Sequence, residues 1–231
     1  MRASFEPAWC AVAAAAAVTA GTSLLDLGCG SGAFCSFAAR RGAVVHGLDV
    51  EPEAISQALE ALPDADLRLG LMEQLPWPNG SFDAVTSFNA LQYALDLELA
   101  VAEACRVVRP AGRVAICKWG PPAQNEFFAF LLSLGASGAR GDDLPLSDPV
   151  EDVIAATGLD VLAEADVAAP IEMAGDGALA VALARAGIEA DPSIGPSTGV
   201  TEAAAPYRQP DGGYRFDNRL RYWIVRPPEP R

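Results

Sequence analysis

Leu24-Leu25-Asp26-Leu27-Gly28-Cys29-Gly30-Ser31-Gly32 decides how this chain is read. An apolar run, Ser23 to Gly28, breaks into alternating glycines, and Ser31 to Arg41 then reads as a helix with Ala and Phe along one side. A strand that ends in glycines at a helix start lets the backbone pass close to a ligand with no Cβ in the way. The helix start also presents free N–H groups to an anionic group. Asp49 follows Gly28 by 21 residues, at the end of a second strand expected over Val44 to Asp49. An acid there can take both hydroxyls of a ribose. The two features together point to a nucleoside-containing cofactor, against the plainer reading of a glycine turn that serves packing alone.

Outward from this stretch the chain alternates strand and helix signals with short turns, the pattern of a parallel sheet covered on both faces. A helix is expected from Pro52 to Leu62, opened by a proline at its first position, where the missing N–H costs nothing. Strands follow at Leu67 to Met72 and Phe82 to Phe88. Asp96 to Val108 reads as a helix with Leu97, Ala100, Val101, Ala104 and Val107 inward, and Arg113 to Trp119 as a fifth strand. After Gly120-Pro121-Pro122 come an aromatic helix, Asn125 to Leu134, and a second helix, Asp148 to Thr157, ended by Gly158. Val161 to Val167 reads as a strand, Gly177 to Ala186 as a helix, and Asp191 to Gly199 as a turn-rich connection. Tyr214 to Val225 alternates loosely and reads as a last strand, antiparallel at the end of the sheet.

Composition narrows the function. The chain has 231 residues, 51% hydrophobic, enough to bury a large core. Sixteen Lys and Arg against 30 Asp and Glu give a net charge of −14, which repels phosphate backbones and argues against a nucleic-acid partner. One histidine, His46, and cysteines without metal-type spacing leave no metal site to expect. The odd, scattered set Cys10, Cys29, Cys35, Cys105 and Cys117 fits reduced thiols, hence a cytoplasmic protein. Ala8 to Ala20 resembles a signal peptide, but Glu6 and Pro7 are misplaced for one, and an alanine-rich helix leaning on the sheet is the expectation. No apolar run is long enough to span a bilayer, and a monomer or homodimer is expected.

Gly28-x-Gly30-x-x-Ala33 can also be read as a dinucleotide fingerprint. Against that, Asp26 stands where such sites carry an apolar residue, and no Lys/Tyr pair or histidine is placed for hydride transfer. Asp26 offers its carboxylate where a cationic amino group would sit.

Leu24 to Gly32 (LLDLGCGSG), Asp49 after a strand, Glu73-x-Leu75-Pro76 (EQLP), Ser81 to Val85 (SFDAV) and Val107 to Val114 (VVRPAGRV) together resemble class I S-adenosylmethionine-dependent methyltransferases. Within that class they are similar to the small-molecule group that includes ubiquinone- and menaquinone-biosynthesis enzymes. The resemblance covers roughly residues 20 to 120, the cofactor half of what is expected to be one domain over 1–231. Residues 121–212 would supply substrate-side helices and a lid, and 213–226 the last strand. It implies a doubly wound, mostly parallel, seven-stranded α/β sheet with an antiparallel C-terminal strand, the Rossmann-like methyltransferase fold. It also implies S-adenosylmethionine as cofactor. Gly28 and Gly30, with Cys29 between them, would pass its methionine part, with Asp26 near the amino end. Asp49 and Val50 would hold the ribose side, Leu71, Met72 and Glu73 would border the adenine, and Asn89 would offer backbone to the methionine amino group.

Two departures stand out. The residue before the Met72 position is commonly an acid that accepts from the adenine amino group, and here it is Leu71. The segment after the fourth strand often carries histidines, and here it has Gln92 and Tyr93. Tyr93 and His46 are therefore the candidates for a catalytic base, His46 also reading as a core histidine. Gln92, Tyr93, Trp119, Phe127 and Phe128 are the candidate substrate contacts. The expected reaction is methyl transfer to O, N or C of a small, fairly apolar acceptor, in specialised or quinone metabolism. The alternatives are a non-methylating enzyme of the same fold, such as a cyclase, an NAD-dependent dehydrogenase, and an interaction protein that keeps the fold.

Overall fold

The computed structural model describes residues 2–3, 5–135, 148–186, 188 and 198–227. The chain divides into two compact units. The first comprises Trp9–Lys118, Ser147–Ala165 and Arg221–Arg231, and the second Met1–Ala8, Trp119–Leu146 and Asp166–Leu220.

In chain order the elements begin with the short strand β1 (Arg2–Ala3), helix α1 (Glu6–Ala15) and strand β2 (Ser23–Leu27). Helix α2 (Ala33–Ala39), β3 (Val44–Asp49), α3 (Pro52–Ala61), β4 (Asp66–Leu69) and β5 (Phe82–Phe88) follow. Then come α4 (Leu97–Val107), β6 (Val108–Trp119), α5 (Glu126–Ser133), α6 (Pro149–Thr157) and β7 (Asp160–Ala168). The chain closes with β8 (Ile171–Met173), α7 (Asp176–Arg185), α8 (Thr198–Ala204), β9 (Tyr214–Phe216) and β10 (Arg219–Arg226).

The seven-stranded sheet runs β4-β3-β2-β5-β6-β10-β7, mostly parallel with an antiparallel strand inside it. β2 lies between β3 and β5, parallel to both, so strand order reverses at β2. β2 and β5 are buried almost throughout, as inner strands covered on both faces are, with Asp26, Thr86 and Ser87 buried among their apolar residues. α4 is amphipathic as expected, with Ala100, Val101, Ala104 and Val107 buried, and Asp96 caps it by accepting the Leu99 N–H at 3.0 Å. Asp148 caps α6 in the same way through Val150, and Gly158 ends that helix in the left-handed region at φ 65°.

Three expectations shift. The third strand ends at Leu69, where the Gly70 N–H makes the last ladder bond to the Asp49 carbonyl at 2.9 Å, so Leu71 and Met72 lie beyond the strand. The stretch 214–225 is two strands in two sheets, not one. Asn218, buried between them, accepts the Phe127 N–H through Oδ1 and donates to the Phe216 carbonyl, which interrupts the extended run. Finally, β10 is an inner strand, and β7 takes the sheet's edge. The connection expected over 191–199 lies outside the described residues up to 197, and Thr198 already begins α8. The tail after Pro227 also lies outside them.

The second unit holds the small sheet β1-β8-β9. Its own core gathers Phe130, Ile171, Met173, Leu179, Leu183, Tyr214 and Phe216.

Candidate cofactor site

The glycine loop after β2 is held by backbone bonds. Gly28 and Cys29 both donate to the Leu48 carbonyl, at 2.8 and 3.0 Å, and fold the chain over the end of β3. Gly28 has φ +70°, and a Cβ there would meet the Ala90 Cβ at 2.1 Å, so only glycine fits. Gly30, at φ +53°, has nothing within 4 Å of where a Cβ would stand. Its N–H donates to Asp49 Oδ2 at 2.8 Å, and the other oxygen, Oδ1, accepts from Glu51 N at 3.0 Å. One carboxylate thus ties the loop after β2 to the turn after β3. An ionised carboxylate has about four acceptor positions, so Asp49 keeps capacity for two hydroxyls.

Beside this loop lies a cavity of about 460 Å³, within the ordinary range for small-molecule sites. Of the expected cofactor residues, Gly28, Asp49, Val50, Leu71, Met72, Glu73 and Asn89 line it, and with them Tyr93, expected on the substrate side. Phe88, Ala90, Ala94 and Leu95 also line it and were not anticipated. Ala90 is dictated by the space beside Gly28, and Phe88 by its 4.4 Å ring contact with Phe34 on α2, neither of which a linear pattern displays. Asn89 turns the chain out of β5 at φ +52°, a left-handed conformation that asparagine tolerates, and its N–H donates to the Cys117 carbonyl at 2.7 Å.

Glu73 does more than border the cavity. Its Oε1 accepts the Leu95 and Asp96 N–H groups at 2.6 and 3.1 Å, holding the segment that carries Tyr93, Ala94 and Leu95. From α4, Glu103 accepts the Leu75 N–H, and Arg106 donates to the Leu75 and Trp77 carbonyls. The segment after β4 is therefore tied both to the turn before α4 and to the later turns of that helix.

Asp26 sits in β2, one residue before its end. It is 3% exposed and lies under the loop, outside the cavity lining. Thr86 Oγ1 donates to its Oδ1 at 2.7 Å, and the Cys35 thiol, 3.8 Å away, faces Oδ2. Burial pushes its carboxyl up to about 7, with the Thr86 and Cys35 hydrogen bonds pulling down and the Asp49 charge adding to the rise. Its hydrogen bonds join β2 to β5 and α2. Cys29 and Gly30 lie outside the lining too; burial also pushes the Cys29 thiol up to about 12, which leaves it inert.

His46 sits mid-strand in β3, with Nδ1 3.2 Å from the Leu24 carbonyl and its ring edge-on to Phe82 at 5.0 Å. The structure does not bring it to the cavity, and those contacts are packing contacts. Gln92 is half-buried and also outside the lining, whereas Tyr93 is 79% exposed at the cavity's rim. Lys118 is paired with Asp148. Among the described residues no group of three or more His, Cys, Asp or Glu could hold a metal ion, and no helix is long and apolar enough to cross a membrane.

The second unit has a cavity of its own, about 440 Å³, lined by Trp119, Gly120, Pro122, Asn125, Phe127, Phe128, Leu131, Ile171 and Asn218. Its two asparagines are spent on backbone. Asn125 donates to the Gly120 and Pro121 carbonyls and accepts from Arg219 N, and Asn218 is engaged as described above. Phe127 packs edge-on against Phe216 at 5.1 Å, and Phe128, beside it, is half-buried. The cavity's surface is thus apolar, and the three aromatic substrate candidates share it.

Set beside known proteins, residues 25–116 match the family described as a methyltransferase domain. The match falls within the stretch whose motifs resemble class I S-adenosylmethionine-dependent methyltransferases. A demethylmenaquinone methyltransferase of Tropheryma whipplei is 34% identical over 108 residues, 46% of this chain and 45% of that one. A nocamycin O-methyltransferase of Saccharothrix syringae is 37% identical over 125 residues, 50% of this chain and 45% of that one. The chain spans about half the length of these relatives. The crystal structure of a putative methyltransferase from Bacillus halodurans shares the fold, with TM-score 0.65 at 14% identity over 95% of this chain and 98% of that one.

Proposed function

We propose that this protein transfers a methyl group from S-adenosylmethionine to O, N or C of a small, fairly apolar acceptor. The observation that carries the reading is the bare backbone at Gly30, latched to Asp49 beside a 460 Å³ cavity at the reversal of strand order. These residues fit the cofactor: the loop leaves room for the methionine part, Asp49 has acceptor capacity for the ribose, and Val50, Leu71 and Met72 give the base an apolar wall. The bound sulfonium would supply an electrophilic methyl group for in-line displacement.

The chain's own part is alignment and exclusion of water. Asn89, through its backbone, would orient the methionine end. Tyr93 at the rim is the proposed hydrogen-bonding or base residue toward the acceptor. With His46 packed elsewhere, the acceptor best suited to this chain is an acidic one, such as a phenol or enol, which needs little base assistance. Trp119, Phe127 and Phe128 are proposed as contacts for an acceptor with an apolar body. The net charge of −14 supports a small-molecule acceptor over a nucleic acid.

Calorimetric titration with S-adenosylhomocysteine, with NADH in parallel, tests the reading. Micromolar binding of S-adenosylhomocysteine alone is the expected result. Binding of NADH alone would replace the reading with a dehydrogenase, and silence from both would leave a binding protein on the same fold.

A further inference from the structure

The cavity follows the strand ends in sheet order. Gly28 and Asn89 lie at β2 and β5, Asp49 at β3, and Gly70, Leu71 and Met72 beyond β4. With a ribose at Asp49 and the methionine part at the glycine loop, the base falls at the β4 end. The side chains there are Val50, Leu71 and Met72, and all three are apolar. Two carboxylates line the cavity, one at the β3 end and one turned toward the start of α4. Asp49 accepts from Gly30 and Glu51, and Glu73 accepts from Leu95 and Asp96, which draws Oε1 toward the start of α4.

We infer that this cavity holds the cofactor's base by apolar contact and does not select for the exocyclic amino group of adenine, with Leu71 as the residue that sets this tolerance. The inference rests on the methyl-transfer reading above. Its physical basis is asymmetric. A site built to accept a hydrogen bond rejects the analogue that lacks the donor, because its own acceptor is left unpaired on binding. An apolar wall leaves nothing unpaired when the amino group is replaced by hydrogen. The ring face and its burial are the same for both bases.

The test is direct binding, independent of turnover. S-adenosylhomocysteine and its purine-riboside analogue, with hydrogen in place of the 6-amino group, are titrated calorimetrically into the full chain. The two dissociation constants should agree within about threefold, less than one neutral hydrogen bond confers. Leu71→Asp, at a side chain 47% exposed and therefore tolerant of change, should restore discrimination to about tenfold in favour of the amino compound. A tenfold or larger preference for the amino compound in the unmodified chain overturns the inference. So does an unchanged ratio in Leu71→Asp when that variant still binds S-adenosylhomocysteine. If neither compound binds the unmodified chain, the methyl-transfer reading falls and the inference falls with it.

Discussion

The two cavities are nearly equal in volume, about 460 and 440 Å³, and they are built in opposite ways. The one at the strand ends is shaped by backbone: a left-handed glycine in its lining with no room for a Cβ, a second glycine in the loop beside it, and carboxylates that tie down the N–H groups of the turns around it. The one in the second unit is shaped by side chains, aromatic rings packed edge-on and tilted around Phe216 with asparagines pinning the loops behind them. The difference teaches where each is fragile. A backbone-built cavity fails when a Cβ is added, and a ring-built cavity fails when a ring is removed.

Phe130→Ala is the strongest way to break that comparison. Phe130 is 2% exposed and packs on Phe216 and Tyr207, so its loss should cost about 3–5 kcal/mol in urea unfolding. A midpoint that does not move would show that the rings do not hold the unit. Next is Gly28→Ala, expected to destabilise by about 2–4 kcal/mol through the clash with Ala90 and the left-handed backbone. Gly30→Val sharpens the point. With nothing to strike, it should lose only about 1–2 kcal/mol of stability from its backbone conformation, yet lose S-adenosylhomocysteine binding altogether. Retained binding would place the site elsewhere. Asp49→Ala should weaken that binding by about 1–3 kcal/mol, read by calorimetry.

The smallest effect expected is a pH dependence. The folded chain keeps the Asp26 proton up to about 7, against an ordinary value of 3.8. Between those values the folded state holds more protons than the unfolded one, so the contribution is present in full at low pH and is lost as pH rises toward 7. From pH 5.5 to 7 the chain should therefore lose about 1–2 kcal/mol relative to Asp26→Asn, whose side chain cannot titrate. Parallel stability curves for the two proteins across that range would show that Asp26 is ionised in the folded state.

How legible each region was follows from the same contrast. Backbone-built features leave fixed spacings: the glycines at 28, 30 and 32, and an acid 21 residues after the first, were enough to place the loop and Asp49 at one cavity. The helix signals of α3, α4 and α6 were equally plain, since proline and aspartate caps act within a few residues. The Asp26 carboxylate is engaged by Thr86 of the neighbouring strand, 60 residues away, a partner that the motif around it does not display. The break at Asp217–Asn218 was hidden for a related reason. Asn218 interrupts an alternating stretch by bonding to Phe127, 91 residues earlier, and no local pattern reports such a partner. Tyr93 and Glu73 were found as cavity residues, but Glu73's grip on Leu95 and Asp96 exists only once the sheet has formed.

The Asp49 latch has a kinetic side. Fixing one residue's backbone costs about 1–2 kcal/mol of conformational entropy, and a glycine has the most freedom to lose. Here the Gly30 N–H is held by a protein carboxylate, so that cost falls on folding and not on ligand capture. Association should therefore proceed as the docking of a small molecule onto an already ordered rim. Its rate should show one concentration-linear phase with no slow isomerisation behind it.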